Sequence, residues 1–166
     1  MDVHAMIRRA RRGLVFDSNV LLAYLVGLWD PDHINSYKRT ETYTIEDFVL
    51  LRTLVECSSG LVVTPAIITE ICNLTDSLNR NYDCKVFTVF RESIISKCRE
   101  RRKESLLIAE TDAFIRLGFA DAGLVDCARS GFLLVTDDVD CYLEACRVGG
   151  IALNLNHIRH DRYLNS

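Results

Sequence analysis

Four short apolar runs punctuate the chain, each bounded by turn-forming or polar residues. They are Leu14-Val15-Phe16 ahead of Asp17-Ser18-Asn19, then Gly60 to Thr64, Gly131 to Thr136, and Gly150 to Leu155. Continuous runs of this length are what strands buried on both faces of a sheet look like. Between them the apolar spacing switches to three and four residues. Val20, Leu21, Tyr24, Leu25 and Leu28 predict a helix directly after the first strand, with Asp17, Ser18 and Asn19 at its start. Ile45, Phe48, Val49, Leu51 and Val55 predict a second helix over 44–57, with Glu46 and Asp47 in its first turn. Pro65 opens a third where proline is tolerated, and Ile67, Ile71, Leu74 and Leu78 form its stripe. Helices are also expected over 83–102, 105–117, 119–130 and 138–147, and the polar stretch 29–42 reads as a loop. Strands alternating with helices predict an α/β fold, its parallel sheet covered on both faces.

Composition narrows the picture. The 166 residues, 49% of them hydrophobic, suit one domain over 1–166, with a basic flank over 1–12. Two prolines and eight glycines leave no room for a Pro/Gly-rich linker, and no apolar run approaches the ~20 residues of a membrane span. Twenty basic residues against twenty-three acidic ones give a net charge of −3, which excludes a general basic coat for nucleic acid. Two local basic clusters remain. Arg8, Arg9, Arg11 and Arg12, and the run Arg99 to Lys103, either hold RNA phosphates or form a solvated flank and a basic helix C-terminus. Seven scattered cysteines without a CxxC indicate reduced thiols in small core positions, and the N-terminus lacks a secretory h-region. A cytoplasmic location is expected.

The acids carry the candidate chemistry. Asp17 ends the first strand, and Asp137-Asp138 ends the Gly131–Thr136 strand. Each alone reads as an ordinary helix cap. Glu70 and Asp121 are different, because both sit on apolar stripes: Glu70 between Ile67 and Leu74, Asp121 ahead of Leu124, Val125 and Ala128. A first-turn acid favoured by the helix dipole is the alternative, weaker for Glu70 than for Asp121. Four carboxylates converging on one strand edge would repel by about 3 kcal/mol per pair at ~5 Å and an effective dielectric of ~20. A cation offsets that repulsion. All-oxygen donors without Cys or His suit Mg²⁺ or Mn²⁺, with Asp140 as an accessory ligand or as a hydrogen-bond acceptor behind the ligands. Metal clusters of this kind serve phosphate-ester chemistry.

At these residues the sequence resembles the PIN-domain family of metal-dependent nucleases. The matching segments are 14–22, Thr64 to Ile71, Gly118 to Ala122 and Leu134 to Asp140, in family order. The resemblance implies a PIN-like three-layer α/β fold with a central, mostly parallel sheet flanked by helices. It implies an endoribonuclease in which Asp17, Glu70, Asp121 and Asp138 bind Mg²⁺ or Mn²⁺ and activate water for RNA cleavage, with Thr136 and Asn19 orienting them. Asp137 fills the variable slot of the fourth motif and is an alternative to Asp138. A homodimer, and an antitoxin or other protein partner, remain open within the family. The long stretch 76–110 departs from the small members that act as toxins of toxin–antitoxin pairs.

Two other classes compete. A haloacid-dehalogenase-like phosphatase would need Asp-x-Asp after the first strand, where Asn19 stands, and a late lysine, whereas the last is Lys103. A catalytically inactive PIN-like module that binds RNA or protein would be marked by loss of an acid, and all four are present. Glu110, Asp112 and Asp126 are expected to be solvent-exposed or capping.

Overall fold

Strands β1 (Leu14–Phe16), β2 (Leu61–Val63), β3 (Arg99–Glu100), β4 (Leu133–Thr136) and β5 (Ile151–Asn154) form one sheet in the order β3-β2-β1-β4-β5. Every pairing is parallel, and Leu14 lies opposite both Leu61 and Leu133. The computed structural model describes residues 12–164. The chain grows from β1 to one edge through β2 and β3, then returns to build β4 and β5 on the other side. That reversal puts a topological switch point at the C-terminal ends of β1 and β4, where open parallel sheets leave a crevice.

The helices are α1 (Ser18–Trp29), α2 (Ile45–Cys57), α3 (Pro65–Asn81), α4 (Lys85–Val89), α5 (Ser105–Ala109), α6 (Asp112–Leu117), α7 (Phe119–Arg129), α8 (Val139–Arg147) and α9 (Leu155–Leu164). The three-layer α/β architecture expected from the sequence is the one observed. α1 is buried all round from Val20 to Gly27, as befits a helix enclosed by its neighbours. Gly27 is required there, because a Cβ would meet the Phe48 ring at 2.3 Å. α2 starts with a capping box in which Thr44 and Asp47 satisfy each other's backbone N–H. Among the described residues no helix is long and apolar enough to cross a membrane.

Three regions differ from expectation. The helix expected over 83–102 is instead α4, a π-helical stretch at Phe90–Ile95, and the edge strand β3. Asp83 and Cys84 adopt positive φ (51° and 61°) and break the chain from α3, while Arg99 and Glu100 pair with Val62 and Val63. An exposed edge strand of charged residues carries no apolar run to reveal it. The segment 105–117 splits where Thr111 caps α6, its hydroxyl accepting from the Phe114 N–H at 3.2 Å. α9 has no counterpart in the apolar pattern. All seven cysteines are free thiols, but only Cys127 and Cys141 are buried; Cys57, Cys84 and Cys146 are exposed.

Candidate active site

Asp17 sits where β1 ends and is 4% exposed. Its Oδ1 accepts the Val20 N–H at 2.7 Å, so it does cap α1. Its Oδ2 accepts the Asp137 N–H at 3.1 Å and the Thr136 hydroxyl. Cap and site are thus the same carboxylate. Burial, followed by the Asp137 carboxylate, pushes its pKa up to about 7, against the hydrogen bonds that favour the charged form.

Thr136, fully buried, also accepts the Asp138 N–H at 2.9 Å on the same Oγ1, which fixes the turn after β4. That turn separates the two neighbouring aspartates. Asp138 caps α8 through the Cys141 N–H at 2.8 Å and is exposed to solvent. Asp137 is tied down from other elements: its carboxylate accepts from the Tyr43 hydroxyl at 2.6 Å and from Asn19 Nδ2 at 3.3 Å, and its carbonyl accepts from Asn156 Nδ2 at 2.9 Å. Asn19 therefore reaches Asp17 only through Asp137.

Glu70, half-buried on α3, accepts a hydrogen bond from the Ser18 hydroxyl, next to Asp17. Asp121, half-buried on α7, has its pKa pushed up to about 6 by burial, then by the carboxylates of Asp138 and Glu70. Cys141, fully buried on α8, feels the same charges. Burial and then the charges of Asp121, Asp17 and Asp138 drive its thiol far above the ordinary range. One buried sulfur thus senses three of the acids, and the fourth faces Asp121. Asp140, in the first turn of α8, is exposed, and it is not among the charges acting on Asp121.

The donors are hard oxygens, which fit Mg²⁺ or Mn²⁺ better than a thiophilic ion. Among the described residues no three His, Cys, Asp or Glu side chains close into a ready-made ligand shell. The carboxylates share an edge without being drawn together.

Of the expected RNA-binding arginines, Arg8, Arg9 and Arg11 lie outside the described residues; Arg12 is exposed. The Arg99–Lys103 run is no helix C-terminus, and three of its four cations are paired within the chain, Arg102 with Glu100. Arg101 and Lys103 both pair with Asp126, at 2.8 and 2.5 Å, on α7. Asp126 is 7% exposed, not a solvated acid or a cap. Glu110 and Asp112 are exposed as expected.

Sequence reasoning missed Ser18 as a partner of Glu70, and Tyr43 and Asn156 as partners of Asp137. The acids Glu46 and Asp47 signalled the first turn of the helix and so placed Tyr43 just before it, but nothing local signalled contact with a residue 94 positions away. Fold and site together define an all-parallel α/β protein with an acidic crevice at its switch point. Comparison with family models, with curated proteins and with solved structures finds no match to this chain.

Proposed function

We propose that this chain is a PIN-type ribonuclease that uses Mg²⁺ or Mn²⁺ to hydrolyse RNA phosphodiester bonds at the acidic crevice. One observation carries the reading: Asp121 is half-buried between Glu70 and Asp138, acids from two other elements, and is pushed up to about 6. Carboxylates opposed by carboxylates are costly to a fold and concentrate at functional sites. Asp17, Glu70, Asp121 and Asp138 would hold the cation. When bound, a cation of this kind lowers the pKa of an attacking water and neutralises charge on the phosphoryl oxygens.

The chain's own residues prepare that site. The Thr136 hydroxyl and the Asp137 N–H orient Asp17 Oδ2. The Ser18 hydroxyl fixes Glu70. Tyr43 and Asn19 hold the Asp137 carboxylate, leaving Asp138 as the acid that faces Asp121. Such supporting hydrogen bonds set ligand orientation and basicity.

The test is incubation of a mixed-sequence single-stranded RNA with the protein in EDTA, in Mg²⁺ and in Mn²⁺, beside Asp17→Asn. Cleavage should require the cation and vanish in the variant. Full cleavage in EDTA overturns the reading. RNA binding without cleavage in any cation supports the non-enzymatic module instead.

A further inference from the structure

A cavity of about 210 Å³ lies between the start of α3 and the start of α7, the two helices that carry Glu70 and Asp121. Ala66 lines it one turn before Glu70, about 6 Å along the helix axis, and Ala120 lines it immediately before Asp121. Its walls are largely apolar, Pro65, Ile108 and Phe119 among them. Phe119 is 40% exposed, a large aromatic surface left in water beside the carboxylates.

The polar lining comes from the loop after β3, from Asp126 on α7, and from the hydroxyl residues Thr64 and Ser105. Asp126 is held there by Arg101 and Lys103, and Arg101 also donates to the Ser130 hydroxyl at 2.9 Å. The Arg101 guanidinium also reaches the Cys127 thiol and lies 5.2 Å from the Phe132 ring centroid. A guanidinium and an ammonium together still carry about eight N–H donors, more than one carboxylate, one hydroxyl and one thiol use. The site therefore offers a flat apolar wall and a cluster of spare donors. A nucleobase is complementary to both: its π-face stacks on an aromatic ring, and its ring nitrogens and carbonyls accept hydrogen bonds at the edge. A base paired in a duplex cannot enter, because it must be splayed out of the stack.

We infer that this cavity takes one unpaired nucleobase of the RNA strand lying over the carboxylates, with Phe119 as the stacking wall and Arg101 and Lys103 reading its edge. The inference rests on the ribonuclease reading for the strand's path, and is tested without cleavage.

The experiment is fluorescence anisotropy in EDTA with short labelled RNA, either intact, paired with its complement, or abasic at one position after another. Parent, Phe119→Ala and Phe119→Trp are compared. Phe119→Ala should weaken binding of the intact strand about tenfold, the loss of one base–aromatic stack. One abasic position should cost as much in the parent and make binding indifferent to Phe119→Ala. Phe119→Trp should keep parental affinity, its added fluorescence quenched by the bound strand. Parental affinity in Phe119→Ala, or an abasic scan with no sensitive position, overturns the inference. Cation-dependent cleavage with no sensitive position removes the base site and leaves the ribonuclease standing. A sensitive position without cleavage in any cation does the reverse.

Discussion

Asp17 and Asp126 are buried to nearly the same degree, at 4% and 7% exposure, and are held in opposite ways. Burial alone would raise the Asp126 pKa, but hydrogen bonds from Lys103 and Arg101 outweigh it and hold the carboxyl below its ordinary range. Glu144 is alike: Arg147 and Arg116 ligate it at 2.6 and 2.7 Å and pull it down. Asp17 and Asp121 meet no cation: burial first, and then the neighbouring carboxylates, push them up to about 7 and about 6. Acids that serve the fold come with their own cations. Those of the crevice present negative charge that the neighbouring side chains do not balance, which is what a cation site needs before it is filled.

The largest effect that would break this contrast is pH dependence. Asp17 and Asp121 have folded pKa values above the 3.8 of an ordinary aspartate, so between those values the native state binds more protons than the unfolded chain. Stability should therefore fall as pH rises from about 4 to above 7. Asp126 and Glu144, held low, act the other way, and their contribution is lost only as pH falls below the ordinary carboxylate range. Thermal melts in EDTA should show the protein more stable at pH 5 than at pH 8 by about 3 kcal/mol, discounted for solvent around Asp121. A flat profile that Asp17→Asn leaves unchanged would end the contrast.

The paired acid gives the next largest effect. Asp126→Asn should destabilise by about 2 kcal/mol in urea titrations, because it strands Arg101 and Lys103. The figure sits below that of a fully buried pair, since both cations keep 26% of their side-chain surface in water. Asp121→Asn should do the opposite. At pH 8 in EDTA it should stabilise by about 1 kcal/mol, read as a higher Tm, while abolishing cleavage. Equal destabilisation by both variants would mean that Asp121 is a structural acid like Asp126.

Smaller effects sharpen the picture. Tyr43 is 2% exposed and donates to Asp137, while Arg159 lies over its ring at 4.6 Å. Tyr43→Phe keeps the stack and removes the donor, so it should cost about 1–2 kcal/mol and lower cleavage through Asp137 and Asp17. At the small end, Arg52→Ala breaks an exposed helical pair with Glu56 at 3.3 Å and should change stability by about 0.5 kcal/mol or less.

The strands that were legible were those with continuous apolar runs, since burial on both faces forces that pattern. β3 has only Arg99 and Glu100 and is recognised through its pairing with β2, a long-range fact. α9 is polar enough to hide, although its Arg159 reaches Asp47 at 2.9 Å. At the site, Glu70 and Asp121 stood out as acids on apolar stripes. Asp126 lies among the buried residues of α7 as well, between Val125 and Cys127, yet it belongs to an ion cluster. An acid on a buried stripe is therefore visible in the sequence, but its purpose is not. What separates the two is whether cations arrive from elsewhere in the fold, here from 23 and 25 residues away.

The most direct test of the central claim is calorimetric titration of Mn²⁺ or Mg²⁺ into the protein stripped with chelator, at pH 6.5 in buffers of different ionisation heat. The crevice should bind the cation and release protons as it does so, because carboxylates raised to about 6 and about 7 must ionise to become ligands. Asp17→Asn should lose the binding, while Asp126→Asn, where it remains folded, should keep it. Cation binding that releases no protons, or that survives Asp17→Asn unchanged, would contradict the account.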